Sequence, residues 1–243
     1  MSENNNIINE RETQKHLSKA LNRTISMQET VLLLRHLRYI LAANEITNLT
    51  SITSEEKGIL LHVEDSLTAL QEVDDAKAGK LVDLGSGGGF PGIPLAVVTR
   101  RETTLIEATQ KKARALEKFV QESNMGERIK VKAKRIEEIS KTEKDCFAVA
   151  TARALAPLTA IMELAAPLLM RDGSLIAYKG NLTDCELQRA RDTEDILGME
   201  LSSIRRLVLS DEITQRTLVV FRKTKEPTID LPRRNGKAQQ SPY

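Results

Sequence analysis

The densest run of residues able to do chemistry is LVDLGSGGGFPGIPL at 81–95, an apolar strand that carries Asp83 and passes through glycines into a helix pattern. Glycines at the carboxyl end of a strand let the backbone turn sharply and approach a ligand with no Cβ in the way. The run therefore implies a nucleotide-bearing cofactor. GGGFPG at 87–92 fits G-x-G-x-x-G, and Glu107, 18 residues beyond Gly89, lies near where a dinucleotide fold places its ribose-binding acid. Asp83 distinguishes the cofactors. A carboxylate just before the first glycine would repel a pyrophosphate at the helix N-terminus. It suits a cofactor with a positive amino or sulfonium group and no phosphate, which is S-adenosyl-L-methionine. With no ligand, the same glycines make a tight strand-to-helix turn and Glu107 a solvated strand-end charge.

The other reactive side chains are sparse. Cys146 and Cys185 are too few for a disulfide framework or a structural zinc site, and three scattered histidines supply no ligand spacing, so no metal is expected. Aromatic residues make up 3% with no Trp, which argues against a single-strand stacking platform. Lys and Arg total 36 against 34 Asp and Glu, a net charge of +2 that by itself shows no preference for a polyanion. That charge is unevenly distributed. Residues 128–144 carry seven Lys/Arg against three acids, and residues 222–243 six against two, giving two local excesses of +4 that can meet phosphates or stay solvated.

The elements that must position these residues follow from periodicity. In 243 residues with 40% hydrophobic and 29% charged side chains there is enough chain for one large domain with an appendage. Residues 1–76 show helical spacing: Leu17 and Leu21, then Val31, Leu34, Leu37 and Leu41, then Leu60, Leu61, Leu67 and Leu70. The polar NEITNLTSIT at 44–53 reads as a loop, and TSEE at 53–56 as a helix cap with an acidic first turn. Residues 77–225 alternate strands and helices, with helices expected from about 92, from about 109 to 124, from about 155 to 170 and from about 184 to 196. The strands are LVDL (81–84), TTLIE (103–107), IKVKA (129–133), CFAVAT (146–151), SLIAYK (174–179), SIRRLVL (203–209) and TLVVFR (217–222). This pattern predicts an α/β fold with a parallel sheet covered on both faces. The short gap at 210–216 predicts a terminal antiparallel hairpin. Residues 226–243, basic and proline-bearing, read as an extended, flexible tail. Apolar runs stop well short of the roughly 18–20 residues of a membrane span, and the first residues lack a signal-like pattern, so a cytoplasmic location is expected.

Six ordered segments add a more specific signal: NLTSI (48–52), HVEDSL (62–67), DLGSGGGFPGIPLA (83–96), KRIEEI (134–139), TARALAPL (151–158) and AYKG (177–180). Together they resemble the RsmG (GidB) family of small-subunit ribosomal RNA methyltransferases, from about residue 45 to the tail. The resemblance implies a Rossmann-like class I S-adenosylmethionine-dependent methyltransferase fold with a mostly parallel seven-stranded sheet and an N-terminal helical extension. It also implies methylation of a guanine N-7 in the decoding-region loop of 16S ribosomal RNA. The methionine side of the cofactor would then lie at Gly85, Gly87 and Gly89, with Phe90 beside it. Glu107 would take the ribose hydroxyls, Ile136 and Glu137 would flank the adenine, and Arg153 would reach the methionine carboxylate through its planar fork. Arg153 in a structural ion pair and Glu137 as a solvated helix charge are the competing readings.

The chain departs from the family pattern in LAANEIT, which lacks an aromatic, and at Arg216 and Thr217, where a histidine is usual. Both departures fall where the family meets RNA. On that side His62 sits either near the acceptor guanine or among residues that fix the front helices, and Lys179 meets either RNA or solvent. Guanine N-7 already carries a free lone pair, so positioning and desolvation can suffice, and no single catalytic base is expected. ATARA at 150–154 stands where amine methyltransferases carry an Asn/Asp-Pro-Pro-aromatic motif, and Cys146, at the far end of its strand, reads as a small buried apolar residue. The expected partner is 16S ribosomal RNA, in the small ribosomal subunit or its assembly intermediate, met by a monomer. An NAD(P)-dependent oxidoreductase and a non-catalytic rRNA-binding assembly factor are the alternatives.

Overall fold

The computed structural model describes residues 9–47 and 50–243. The front section folds as α1 (Glu10–Ala20), α2 (Met27–Thr47), α3 (Glu55–Gly58), a π-helical stretch (Ile59–Glu64), α4 (Asp65–Leu67) and α5 (Leu70–Asp75). There follow β1 (Leu81–Leu84), α6 (Gly92–Thr99), β2 (Thr103–Ile106), α7 (Gln110–Glu122), β3 (Ile129–Lys132), α8 (Ile136–Ile139) and β4 (Phe147–Arg153). The chain continues through α9 (Leu158–Ala165), β5 (Leu169–Lys179), α10 (Asp184–Asp192), α11 (Glu194–Leu197), β6 (Met199–Val208), β7 (Gln215–Lys223) and α12 (Lys237–Gln240). Among the described residues no helix is long and apolar enough to cross a membrane.

The seven strands form one sheet in the order β3-β2-β1-β4-β5-β7-β6, parallel through β5, with β7 antiparallel to both β5 and β6. The expected hairpin is present. Its second strand, β7, is inserted beside β5, leaving β6 at the edge. Strand alternation splits the core into two layers: Leu218 and Val220 of β7 face one, Val219 and Phe221 the other. The first layer also holds Leu17, Leu33, Leu34, Leu37 and Ile40, so α1 and α2 share a core with α6, α7 and the sheet. The second layer is closed by α8 to α12.

Several boundaries differ from the sequence expectation. Helix α2 runs to Thr47, shortening the loop expected at 44–53, while Asn48 and Leu49 of NLTSI lie outside the described residues. Its buried stripe is Thr30, Leu33, Leu34, His36, Leu37 and Ile40, and Val31 is turned outward at 37% exposure because the turn of about 100° per residue carries it past the edge of that stripe. The cap within TSEE is Ser54, whose side chain accepts from the Lys57 N–H at 3.3 Å. The helix expected at 155–170 stops at Ala165, because MRDGS is taken into a long irregular β5 with Asp172 at φ 66°. Cys146 is exposed rather than buried: it precedes β4, and its Sγ donates to the Lys144 carbonyl at 3.2 Å. The tail expected to be extended instead lies folded against α8 and α9, with Ala238 buried in the second core layer and Arg233 paired to the buried Glu163.

Candidate active site

Strand order reverses between β1 and β4, and in open α/β sheets ligands bind in the crevice beyond the carboxyl ends of the strands at such a point. The loop after β1 is shaped by Gly85, Gly87 and Gly89, with φ of 69°, 55° and 85°. At Gly87 an added Cβ would meet nothing nearer than the Gly85 carbonyl at 4.0 Å, so here the left-handed backbone itself requires glycine and the space beyond is open. Gly92 is required for a different reason. A Cβ there would run into Leu105 and come within 2.8 Å of Asp83, where α6 begins hard against β1 and β2.

Asp83 takes a different role from the one its position suggested. It is fully buried; one oxygen accepts from Thr151 Oγ1 at 2.8 Å and the other from the Gly92 N–H at 3.2 Å. Burial pushes its carboxyl up to about 6, against the pull of those hydrogen bonds. Asp83 therefore holds the loop from beneath instead of presenting a carboxylate to a ligand. It also takes up the first amide of α6, the donor that a dinucleotide pyrophosphate would need.

Glu107, one residue past β2, has its carboxylate fixed by two backbone donors, Gly87 N–H at 2.9 Å and Thr109 N–H at 2.7 Å. Each oxygen keeps a further lone pair for a hydroxyl. Next to it a cavity of 150 Å³ is lined by Gly85, Glu107, Ile136, Glu137, Leu155 and Gln239 among others. Ile136 and Glu137 thus line the same cavity as Glu107. Glu137, however, is buried rather than solvated, because its carboxylate accepts from the Gly236 N–H at 2.5 Å. Larger clefts of 460 and 690 Å³ lie near α1, and neither is lined by the glycine loop or Glu107.

Across the loop, Phe90 is clamped between two histidines. Its ring stacks on His62 at 4.5 Å and 12°, and tilts against His36 at 4.3 Å. Arg153, at the end of β4, donates to Asp65 at 2.8 Å, to the Leu61 carbonyl at 3.0 Å and to His62 Nδ1 at 3.2 Å. With Nδ1 accepting, the proton of His62 is on Nε2, facing Thr50 Oγ1 at 2.7 Å. Burial and the facing guanidinium hold this imidazole down to about 4, so it is neutral near pH 7. Arg216 forks onto the same Asp65 at 2.6 and 3.0 Å. Two guanidinium groups on one carboxylate leave a local excess of one positive charge, suited to an anion. His62, Arg153 and Arg216 therefore form one cluster, with Arg153 engaged in an ion pair. Lys179 stands apart, paired with Glu186 at 2.7 Å.

Four contributors were not singled out from sequence. Asp65 lies inside HVEDSL next to Glu64, and nothing in the sequence says which of the two acids receives Arg153 and Arg216. Gly236 and Gln239 belong to a segment read as mobile. His36 gave no signal beyond its place in an apolar stripe: it is fully buried, donates from Nε2 to the Gly88 carbonyl at 2.8 Å, and is held down to about 3 by burial.

A family model described as rRNA small subunit methyltransferase G (GidB) matches residues 29–219. Among curated relatives named ribosomal RNA small subunit methyltransferase G, the one from Carboxydothermus hydrogenoformans is 33% identical, covering 90% of this chain and 94% of its own. The one from Bacillus pumilus is 30% identical, covering 85% and 87%. Among solved structures, a Corynebacterium glutamicum protein superposes with a TM-score of 0.51 at 18% identity, covering 91% of this chain and all of its own. A Burkholderia thailandensis N1-methyltransferase crystallised with S-adenosylhomocysteine gives 0.50 at 14% identity, covering 66% and 77%. Both likenesses, at under 25% identity, show a shared fold alone.

Proposed function

The chain belongs to the rRNA small subunit methyltransferase G (GidB) family, and from that premise we propose that it methylates N-7 of a guanine, of the guanine-527 type, in 16S ribosomal RNA. The observation that carries the cofactor assignment is Glu107, held by the Gly87 and Thr109 amides at the mouth of a cavity, with lone pairs free for two ribose hydroxyls. The open space over Gly87 fits the close approach of a methionine arm. When bound, S-adenosyl-L-methionine supplies an electrophilic methyl group on a sulfonium.

The chain's own residues orient the reactants and exclude water. Asp83, through Gly92 and Thr151, keeps the loop in register with β1 and β4. The Asp65 cluster offers its excess positive charge to the cofactor carboxylate or an RNA phosphate, a choice in which Arg153 and Arg216 serve as binding groups. Lys179 remains a candidate contact to RNA once Glu186 releases it. His62 is neutral with both ring nitrogens engaged, which accords with an acceptor that has no proton to lose. The protein would act as a monomer, in the cytoplasm, on naked rRNA, an assembling particle or the finished small subunit.

The test is transfer of labelled methyl to small subunits from a strain lacking the enzyme, followed by N-7-specific cleavage and reverse transcription. One strong stop at a guanine is expected. Cofactor binding without transfer to any RNA substrate would instead identify a binding module. Thermal stabilisation by NAD(H) and not by S-adenosylhomocysteine would overturn the cofactor.

A further inference from the structure

The C-terminal segment is built into the cavity wall. Arg233 forks onto Glu163, which is 2% exposed, with its Nε 2.6 Å from one carboxylate oxygen. Asn235 donates to Glu138 at 3.0 Å, and Gly236 N–H donates to Glu137 at 2.5 Å. Ala238, at 2% exposure, is packed into the second core layer, and Gln239 faces the same cavity as Glu107, Ile136 and Leu155. The tail thus takes up a carboxylate oxygen of Glu137 while leaving the space in front of Glu107 open.

That space measures 150 Å³, about half of the roughly 300 Å³ at the small end of ligand pockets. It accommodates one end of a nucleotide-like molecule. Its lining combines the apolar Ile136 and Leu155 with the carboxylates of Glu107 and Glu137, the carboxamide of Gln239 and the basic Lys134 and Arg135, and the acceptors among these suit a purine bearing an amino group.

We propose that residues 233–240 are a wall of the cofactor site that closes on the adenosine end, with Arg233 as the positioning residue that pins it to α9. This rests on the cofactor reading above. Adenosine bound between Glu107 and the tail contacts the docked segment and not an undocked one, so cofactor and docking stabilise each other.

The segment carries its own reporters, because trypsin cuts after Arg234 and Lys237. Cleavage of the full chain, followed by intact mass, tracks the undocked population. With S-adenosylhomocysteine at a hundred times its Kd, cleavage at these two sites should slow by about tenfold or more. An unchanged rate, in samples whose thermal shift shows the ligand bound, would overturn the wall. Faster cleavage would overturn it too, since the tail would then be a plug that the ligand expels. Absence of any thermal shift would remove the cofactor reading and the wall with it. Arg233→Ala should weaken S-adenosylhomocysteine about tenfold, with Arg233→Lys recovering part of the loss; equal affinity in all three proteins would contradict the proposal.

Discussion

Glu107 is the side chain on which cofactor affinity should depend most directly. Glu107→Gln keeps one acceptor but loses the charge, and hydrogen bonds to charged groups contribute about 1.5–3 kcal/mol. Calorimetry should show S-adenosylhomocysteine binding roughly tenfold to hundredfold weaker. His36 should govern acid sensitivity. Its folded pKa of about 3 lies below the ordinary imidazole value of 6.5, so the unfolded chain takes up its proton first and stability is lost as pH falls below 6.5. His36→Gln keeps a donor for Gly88 without that titration. Urea unfolding should show wild type losing about a kcal/mol per pH unit relative to this variant between pH 6 and 4. Asp83 has the opposite sign. Its pKa is raised to about 6, so wild type should lose stability relative to Asp83→Asn as pH rises from 4 to 6 and then level off.

At the scale of elements, the front helices are fastened to the sheet at two points that also shape the site. His36 of α2 holds the glycine loop by its carbonyl, and Asp65 of α4 receives Arg153 from β4 and Arg216 from β7. Removing the Asp65 charge leaves two mostly buried guanidinium groups facing each other. Asp65→Asn should therefore cost about 3 kcal/mol or more in urea unfolding, with Arg216→Ala costing less because Arg153 keeps its partner. A front section that merely decorated the sheet would show no such coupling. Periodicity located these helices and the buried Leu34 and Leu37 of α2, but counted Val31 into that face and left out Leu33. Both Val31 and Leu33 are apolar, and only packing against α6 and α7 decides between them.

For the whole molecule, the net charge of +2 conceals two basic stretches, one containing Lys134 and Arg135 and the other in the tail. Folding brings them together: Asn235 and Gly236 bind the two acids of α8 immediately after Lys134 and Arg135. Six to ten phosphate contacts lose about 10³–10⁵ in affinity between 50 and 200 mM salt. RNA binding should accordingly fall steeply with KCl while S-adenosylhomocysteine binding changes little. Lys134→Ala should lower the slope of log K against log salt by about one.

The strand and helix alternation, the hairpin, the glycine loop and the family can all be read along the chain, because each is written in local spacing or in ordered segments. Glu107 was noticed because it ends a recognisable strand, and Ile136 because it lies in KRIEEI, one of the ordered segments. The partners of the polar side chains cannot be read that way and come from the fold. Asp83 reads as a ligand group until α6 is seen to place Gly92 N–H on it. Arg153 and Arg216 are 63 positions apart in sequence and meet on Asp65 only when β7 inserts beside β5. The tail looks free until Glu137 and Glu163, two acids buried elsewhere in the chain, are found to be satisfied by Gly236 and Arg233. Buried polar groups must find partners, and across long sequence separations the fold alone supplies them.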